Sequence, residues 1–226
     1  MAKAPVCGAV KTRLARDIGL VPAVALTRAL TAKLLRELAG DPRFRCVLAV
    51  SPATATMARF AAWGAGGGRV RRIAQARGDL GARMQAIFDR CGAGPLIIIG
   101  TDIPGITREI IADAFRQLRR ADAVFGPAED GGYWLVGLRR RPKIATPFAN
   151  VRWSSPHALA DTLANFQRIR FSSNRDKTRA PYLDALSSGQ AISVSHENIR
   201  GGRRIAFSIT LFDIDTGADY RRYRRL

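Results

Sequence analysis

The sequence is poor in the residues that most often hold soft metals or make disulfides. It has three cysteines, Cys7, Cys46 and Cys91, and two histidines, His157 and His196. They are scattered, so neither a zinc-ligand spacing nor a disulfide framework is present. A reduced, cytoplasmic compartment is therefore expected. No apolar run reaches the roughly eighteen residues a membrane-spanning helix needs. The start, Met1-Ala2-Lys3-Ala4-Pro5, lacks the apolar stretch of a secretory signal. Aromatic residues make up 8% and alternate with arginine only briefly, as over 43–45 and 220–225, which is not the pattern of a single-strand-stacking surface. Acidic residues are also few: 18 against 37 basic ones, a net charge of +19. Such an excess can serve nucleic acid, anionic small molecules or solvated helix faces. The arginines are dispersed, with short clusters at 139–141 and 221–225, so nucleic acid is not the expected partner.

What is present is a globular balance, with 47% hydrophobic and 24% charged residues in a chain of 226, enough for one large domain with a sizeable core. Leu26, Leu30, Leu34 and Leu38 recur every fourth residue and predict an amphipathic helix over 22–39, with Pro22 in its first turn. A short apolar strand is expected over 46–50, a helix over 53–63, a flexible glycine loop over 64–68 and a weak strand over 70–74. Leu80, Met84, Ile87 and Phe88 mark the next helix. Leu96-Ile97-Ile98-Ile99 is a continuous apolar run, β-branched over its three isoleucines and suited to a buried strand. Thr107 and Ser155-Pro156 begin two further helices. Strands are expected over 121–125, 133–138 and 205–212, and Thr216 starts a terminal helix. This alternation predicts a mostly parallel sheet with helices on both faces. Residues 168–203 are polar, break the rhythm and read as an insertion.

Four segments carry candidate chemistry. The first runs Lys3-Ala4-Pro5-Val6-Cys7-Gly8-Ala9-Val10-Lys11-Thr12-Arg13-Leu14. A glycine loop followed by cations and a helix can wrap phosphates, although Pro5 and Val10 stand where a Walker loop needs glycine. Likewise, Gly64-Ala65-Gly66-Gly67-Gly68-Arg69 is no dinucleotide fingerprint, because Arg69 replaces the third glycine. The second candidate is Gly100-Thr101-Asp102-Ile103-Pro104-Gly105. An acid just past a buried strand sits where open α/β sheets bind ligands, and its carboxylate can hold a divalent cation against a diphosphate. It can equally shape a turn before Pro104. The third, Glu129-Asp130-Gly131-Gly132-Tyr133, reads as a ligand-facing loop or as an acidic hairpin turn. The fourth, Arg77-Gly78-Asp79-Leu80-Gly81, reads as a helix entry capped by Asp79.

Taken in this order, and joined by Trp153-Ser154-Ser155 and Asp213-Ile214-Asp215-Thr216, the segments resemble a bacterial GT-A-type glycosyltransferase-like family. That family belongs to the nucleotide-diphospho-sugar transferase superfamily and is related to 2-phospho-lactate guanylyltransferase. The resemblance covers 1–165 and 204–226. It implies an α/β, three-layer Rossmann-like fold with a mostly parallel sheet, as one domain over 1–226 carrying the polar insertion at 168–203. It implies a metal-dependent transferase acting on a nucleotide-diphosphate sugar, with nucleotidyl transfer as the alternative and Mg²⁺ or Mn²⁺ as cofactor. Residue by residue, it implies that Lys3, Gly8, Lys11 and Arg13 grip phosphates and that Gly78, Asp79 and Gly81 line the nucleotide side. Asp102 and Asp130 would hold the metal and, with Lys11, act in catalysis, while Gly131, Gly132 and Tyr133 would face the acceptor. Such a fold hangs its phosphate loop from a buried strand, which Met1-Ala2 is too short to supply. A basic nucleic-acid binder, motivated by the charge, and an inactive family member remain readings of another class.

Overall fold

The computed structural model describes residues 1–92, 94–140, 145–168 and 204–226; the expected insertion at 168–203 lies almost wholly outside them. The described chain divides into two compact units. One comprises Met1–Gln75, Ile99–Ala112 and Phe212–Leu226, and the other Ala76–Ile98 and Asp113–Leu211.

The first unit is built on three strands, β1 (Ala2–Lys3), β2 (Val47–Ser51) and β3 (Arg71–Ala74), which pair in parallel in that order. The strand expected to be missing is thus present as two residues, with Ala2 opposite Val50 and Lys3 opposite Ser51. Gln75 reinforces the pairing by donating through Nε2 to the carbonyls of Ala2 and Ala49, at 3.1 and 2.9 Å. Helix α1 (Thr12–Ile18) and the long α2 (Leu20–Leu38) follow β1. The leucine stripe of α2 is buried as its spacing predicts, with Leu26, Leu30, Leu34, Leu35 and Leu38 all at most 9% exposed. Each such side chain contributes about 1.5–3 kcal/mol.

The helix expected over 53–63 is broken. Ala53–Met57 forms a 3-10 turn, and only Ala61–Gly64 (α3) is α-helical. Thr54 and Thr56 lose rotamer freedom in a helix, and the chain turns extended at Ala58 and Phe60. Trp63, 4% exposed, anchors α3 to a core of Ala2, Ala4, Leu35, Leu48 and Val50.

In the second unit, α4 (Leu80–Arg90) is capped as expected, the Ala82 N–H donating to Asp79 Oδ1 at 2.8 Å. Strands β4 (Leu96–Ile99), β6 (Tyr133–Leu138), β5 (Ala123–Pro127) and β7 (Ile205–Phe207) lie side by side in that order. Strands β5 and β6 form an antiparallel hairpin, and β5 pairs in parallel with β7. Helix α5 (Arg108–Gln117) starts in the first unit and ends in the second, beginning after Thr107, whose Oγ1 accepts from the Ile110 N–H at 3.3 Å. Helix α6 is Ala158–Arg168. The last strand is shorter than expected, ending at Phe207, with Leu211 returning to bridge Ala128. Ring contacts run without a gap from Phe207 through Phe125, Tyr133, Trp153 and Phe148 to Phe88. The terminal helix α7, Gly217–Tyr223, belongs to the first unit.

Candidate functional site

The loop leaving the C-terminal end of β1 turns at Gly8, φ 77°, and ends at Lys11, whose carbonyl accepts the first bond of α1. Lys11 itself is left-handed, at φ 47° and ψ 45°. For a residue with a Cβ, that conformation costs roughly 1–2 kcal/mol. The strain is offset at the other end of the side chain. The Lys11 ammonium lies 2.7 Å from Asp102 Oδ2 and 2.7 Å from Asp215 Oδ1, and the side chain is only 7% exposed. Burial opposes the charge on Lys11, but Asp102 and then Asp215 raise its pKa above the ordinary lysine value. Burial would likewise raise the Asp102 carboxyl, but the Lys11 ammonium overrides it and holds the pKa below the usual carboxylate range. The Asp102 side chain is still 38% exposed, so solvent screens part of this attraction.

Each partner is positioned by its own element. Asp102 follows β4 by three residues, and the chain around it is tied down: the Met1 amine donates to Ile99 O at 2.6 Å and the Thr101 hydroxyl to Met1 O at 3.3 Å. Burial lowers the Met1 amine to about 6, with Asp102 partly offsetting it.

Asp215 is brought in by the C-terminal segment. Ile214, fully buried, packs with Leu14, Ala23, Leu26 and Leu30. A capping box starts α7: Asp219 Oδ2 accepts from the backbone N–H groups of Asp215 and Thr216, at 3.1 and 2.8 Å, while Thr216 Oγ1 accepts from the Asp219 N–H. Asp17 of α1 closes the arrangement, accepting from the Gly217 N–H at 2.7 Å. Asp215 is the partner that sequence reasoning left without a role. The signal was the Asp213-Ile214-Asp215-Thr216 motif, whose helix-starting threonine fixes where the acid falls.

Of the other expected phosphate-side residues, Lys3 and Arg13 are exposed beside this loop. Among the described residues, then, Lys11 and Asp102 come together, and Asp215 joins them.

Asp130, Gly131 and Gly132 lie in the second unit on the turn between β5 and β6, and Tyr133 is the first residue of β6. Asp130 Oδ1 accepts from the Gly132 N–H at 2.9 Å, a local turn bond. Gly131 is required here twice over. Its φ is 84°, and a Cβ would fall 2.3 Å from the carbonyl oxygen of Pro156. Its carbonyl also accepts from the Leu159 N–H near the start of α6. The Tyr133 hydroxyl is 3.4 Å from Thr162 Oγ1, and burial raises its pKa above the ordinary tyrosine value. In the same unit, Gly78 and Asp79 start α4, and Gly81 faces the Phe148 carbonyl and the Trp153 ring. The Trp153 Nε1 is buried without a hydrogen-bond partner among the described residues.

Among the described residues no group of three or more acidic, histidine or cysteine side chains could hold a metal ion, and no helix is long and apolar enough to cross a membrane.

The chain is similar to a protein of Desulfovibrio desulfuricans G20 that is provisionally assigned as a nucleotide-diphospho-sugar transferase. The two are 26% identical with a TM-score of 0.75, over 99% of this chain and 84% of that one. The parallel β1–β2–β3 sheet and the mixed sheet around β5 accord with that fold, and the α/β expectation from sequence holds. No curated protein matches the sequence. The profile of a conserved bacterial family covers residues 34–155, more than half of the chain. This chain belongs to that family, described as "Uncharacterized protein conserved in bacteria (DUF2064)".

Proposed function

We propose that this chain is a transferase acting on a nucleotide-diphosphate sugar, with the phosphates gripped at Lys11. The observation that carries the reading is the convergence of Asp102 Oδ2 and Asp215 Oδ1 on one cationic centre at 2.7 Å each, beside a glycine loop and past the C-terminal end of a strand. Open α/β sheets bind ligands at that edge. The likeness to the Desulfovibrio protein supports sugar transfer ahead of nucleotidyl transfer.

The donor set fits a divalent cation in kind. Mg²⁺ takes one or two carboxylates and completes its shell with water and substrate phosphates, and two carboxylates already face one point here. Asp102 and Asp215 would hold Mg²⁺ or Mn²⁺. When bound, the ion would neutralise charge on the diphosphate. The chain's own part is electrostatic. Lys11, held by two carboxylates, is placed to trade one of them for a phosphate oxygen and to stabilise the leaving diphosphate. Arg13, the second residue of α1, adds positive field beside the same loop. Lys3 and Gly8 border the phosphates.

A thermal-shift screen of nucleoside diphosphates and nucleotide sugars, with and without Mn²⁺, tests the reading. A ligand at 100 times its Kd adds about 2.7 kcal/mol, so a nucleotide sugar should raise Tm by several degrees only with the metal. A nucleoside triphosphate stabilising while every nucleotide sugar fails would shift the assignment to nucleotidyl transfer. No stabilisation by either class would remove it.

A further inference from the structure

We propose that the chain carries a second anion site, specific for linked phosphoryl groups, at the opposite edge of the three-stranded sheet from Lys11. The parallel strands give the address. The Lys11 loop leaves the C-terminal end of β1, whereas Arg45 lies just before β2 and Arg69 just before β3, at the N-terminal ends of those strands. There, a cleft of about 470 Å³ is lined by Arg43, Arg45 and Arg69 with Pro42, Phe44 and Cys46. A second cleft of about 300 Å³ shares Ala39 and Arg69 with it and adds Arg36 and Gly66-Gly67-Gly68. The two form one cationic groove within a single unit of the chain.

The charges facing it are unequal. Arg43 is neutralised by Asp41, whose carboxylate is 3% exposed, and lies 4.0 Å from Glu109. Glu37, one residue from Arg36, is taken by Arg108 at 3.1 Å. Arg36 sits in the last turn of α2, where the helix dipole favours a cation. Arg45 and Arg69 have no such reason. Both are exposed, and neither makes an ion pair among the described residues. Their guanidinium groups are therefore open to an anion, and each offers forked donors that match phosphoryl oxygens two at a time.

The glycine run supplies the rest. Gly66, at φ −85° and ψ 5°, is followed by Gly67 at φ 65°. A right-handed residue followed by a left-handed one turns successive N–H groups into one concavity, an arrangement suited to anions. A Cβ at Gly67 or Gly68 would meet nothing within 4 Å, so these glycines leave the groove open rather than fill a core. Arg45 lines one cleft, Arg36 the other and Arg69 both, an arrangement suited to several linked phosphates rather than a single one. Inorganic pyrophosphate and a phosphodiester backbone share that chemistry.

Calorimetric titration of the full chain in EDTA at about 0.15 M salt separates the possibilities, using inorganic pyrophosphate and a short oligothymidylate as probes. Three variants are compared with wild type: Arg45→Ala/Arg69→Ala, Lys11→Ala, and Arg224→Ala/Arg225→Ala, which removes the same charge from the exposed C-terminus. Thermal melts check that each one folds. Losing a charge-assisted phosphate contact costs about tenfold in affinity or more. Arg45→Ala/Arg69→Ala should therefore weaken binding at least that much, while Arg224→Ala/Arg225→Ala binds like wild type. A loss confined to pyrophosphate or to the oligothymidylate supports the site and identifies its occupant. Equal weakening in Arg224→Ala/Arg225→Ala would reduce the effect to net charge and overturn the proposal. Unchanged binding of both probes in Arg45→Ala/Arg69→Ala would overturn it as well. Loss in Lys11→Ala alone would assign the anion to the Lys11 loop, leaving the transferase reading standing and this one refuted.

Discussion

Lys11 is where local cost and long-range gain meet. Its left-handed backbone is unfavourable, and two carboxylates from distant parts of the sequence hold its side chain. Strain of this kind persists where the surroundings over-determine it, and it gathers at functional sites. Lys11→Gly should therefore relieve the backbone while removing the charge. We expect a smaller stability loss for Lys11→Gly than for Lys11→Ala, by about 1 kcal/mol, read from urea midpoints. An equal loss would mean that the backbone is not strained. Gly131 is the opposite case, a position that cannot accept a side chain. Gly131→Ala places a methyl against Pro156 O at φ 84° and should cost about 1–3 kcal/mol or more. A midpoint unchanged from wild type would contradict the turn geometry. At this scale Lys11 and Asp102 were legible as candidates, because a cation after a glycine loop and an acid after an apolar strand are chemical patterns. Their pairing was not, since it depends on two loops some ninety residues apart meeting at one point.

The elements were legible wherever one periodicity dominated. The leucine stripe of α2, the isoleucine run of β4 and the caps at Asp79, Thr107 and Thr216 appear nearly where their residues place them. The segment 53–63 failed, because its composition is largely helix-compatible while its two threonines disfavour a helix and Ala58 and Phe60 are extended. Asp215 was missed for a related reason: its motif follows a strand that stops early, and its position is set by the cap of α7 rather than by the strand. That cap is testable. Thr216→Ala removes the acceptor for the Asp219 N–H and should cost about 0.5–2 kcal/mol. Asp219→Asn should cost a comparable amount and also weaken nucleotide binding, because the same carboxylate holds the Asp215 backbone. Nucleotide binding unaffected by Asp219→Asn at equal folded fraction would remove Asp219 as a positioning residue.

For the molecule as a whole, stability in acid follows from its paired carboxylates. Arg43 holds Asp41 at about 2. Hydrogen bonds from Arg152 and Arg108 lower Asp161 and Glu37, and Lys11 outweighs burial at Asp102. Each of these groups has a folded pKa below its unfolded value of about 3.9 for Asp or 4.3 for Glu. Their contribution is therefore complete above those values and is lost as pH falls through the folded ones. Tm should fall progressively from about pH 5 toward pH 2, and a Tm that holds down to pH 2 would contradict the pairings. The central claim, that Lys11, Asp102 and Asp215 form a cation-assisted phosphate site, is tested most directly by calorimetric titration of nucleoside diphosphates with and without Mn²⁺. Wild type should bind tightly only with the metal. Asp102→Asn should fold normally and lose the metal-dependent part, whereas Lys11→Ala should bind more weakly with the metal requirement intact. Unchanged metal-dependent affinity in Asp102→Asn would contradict the account.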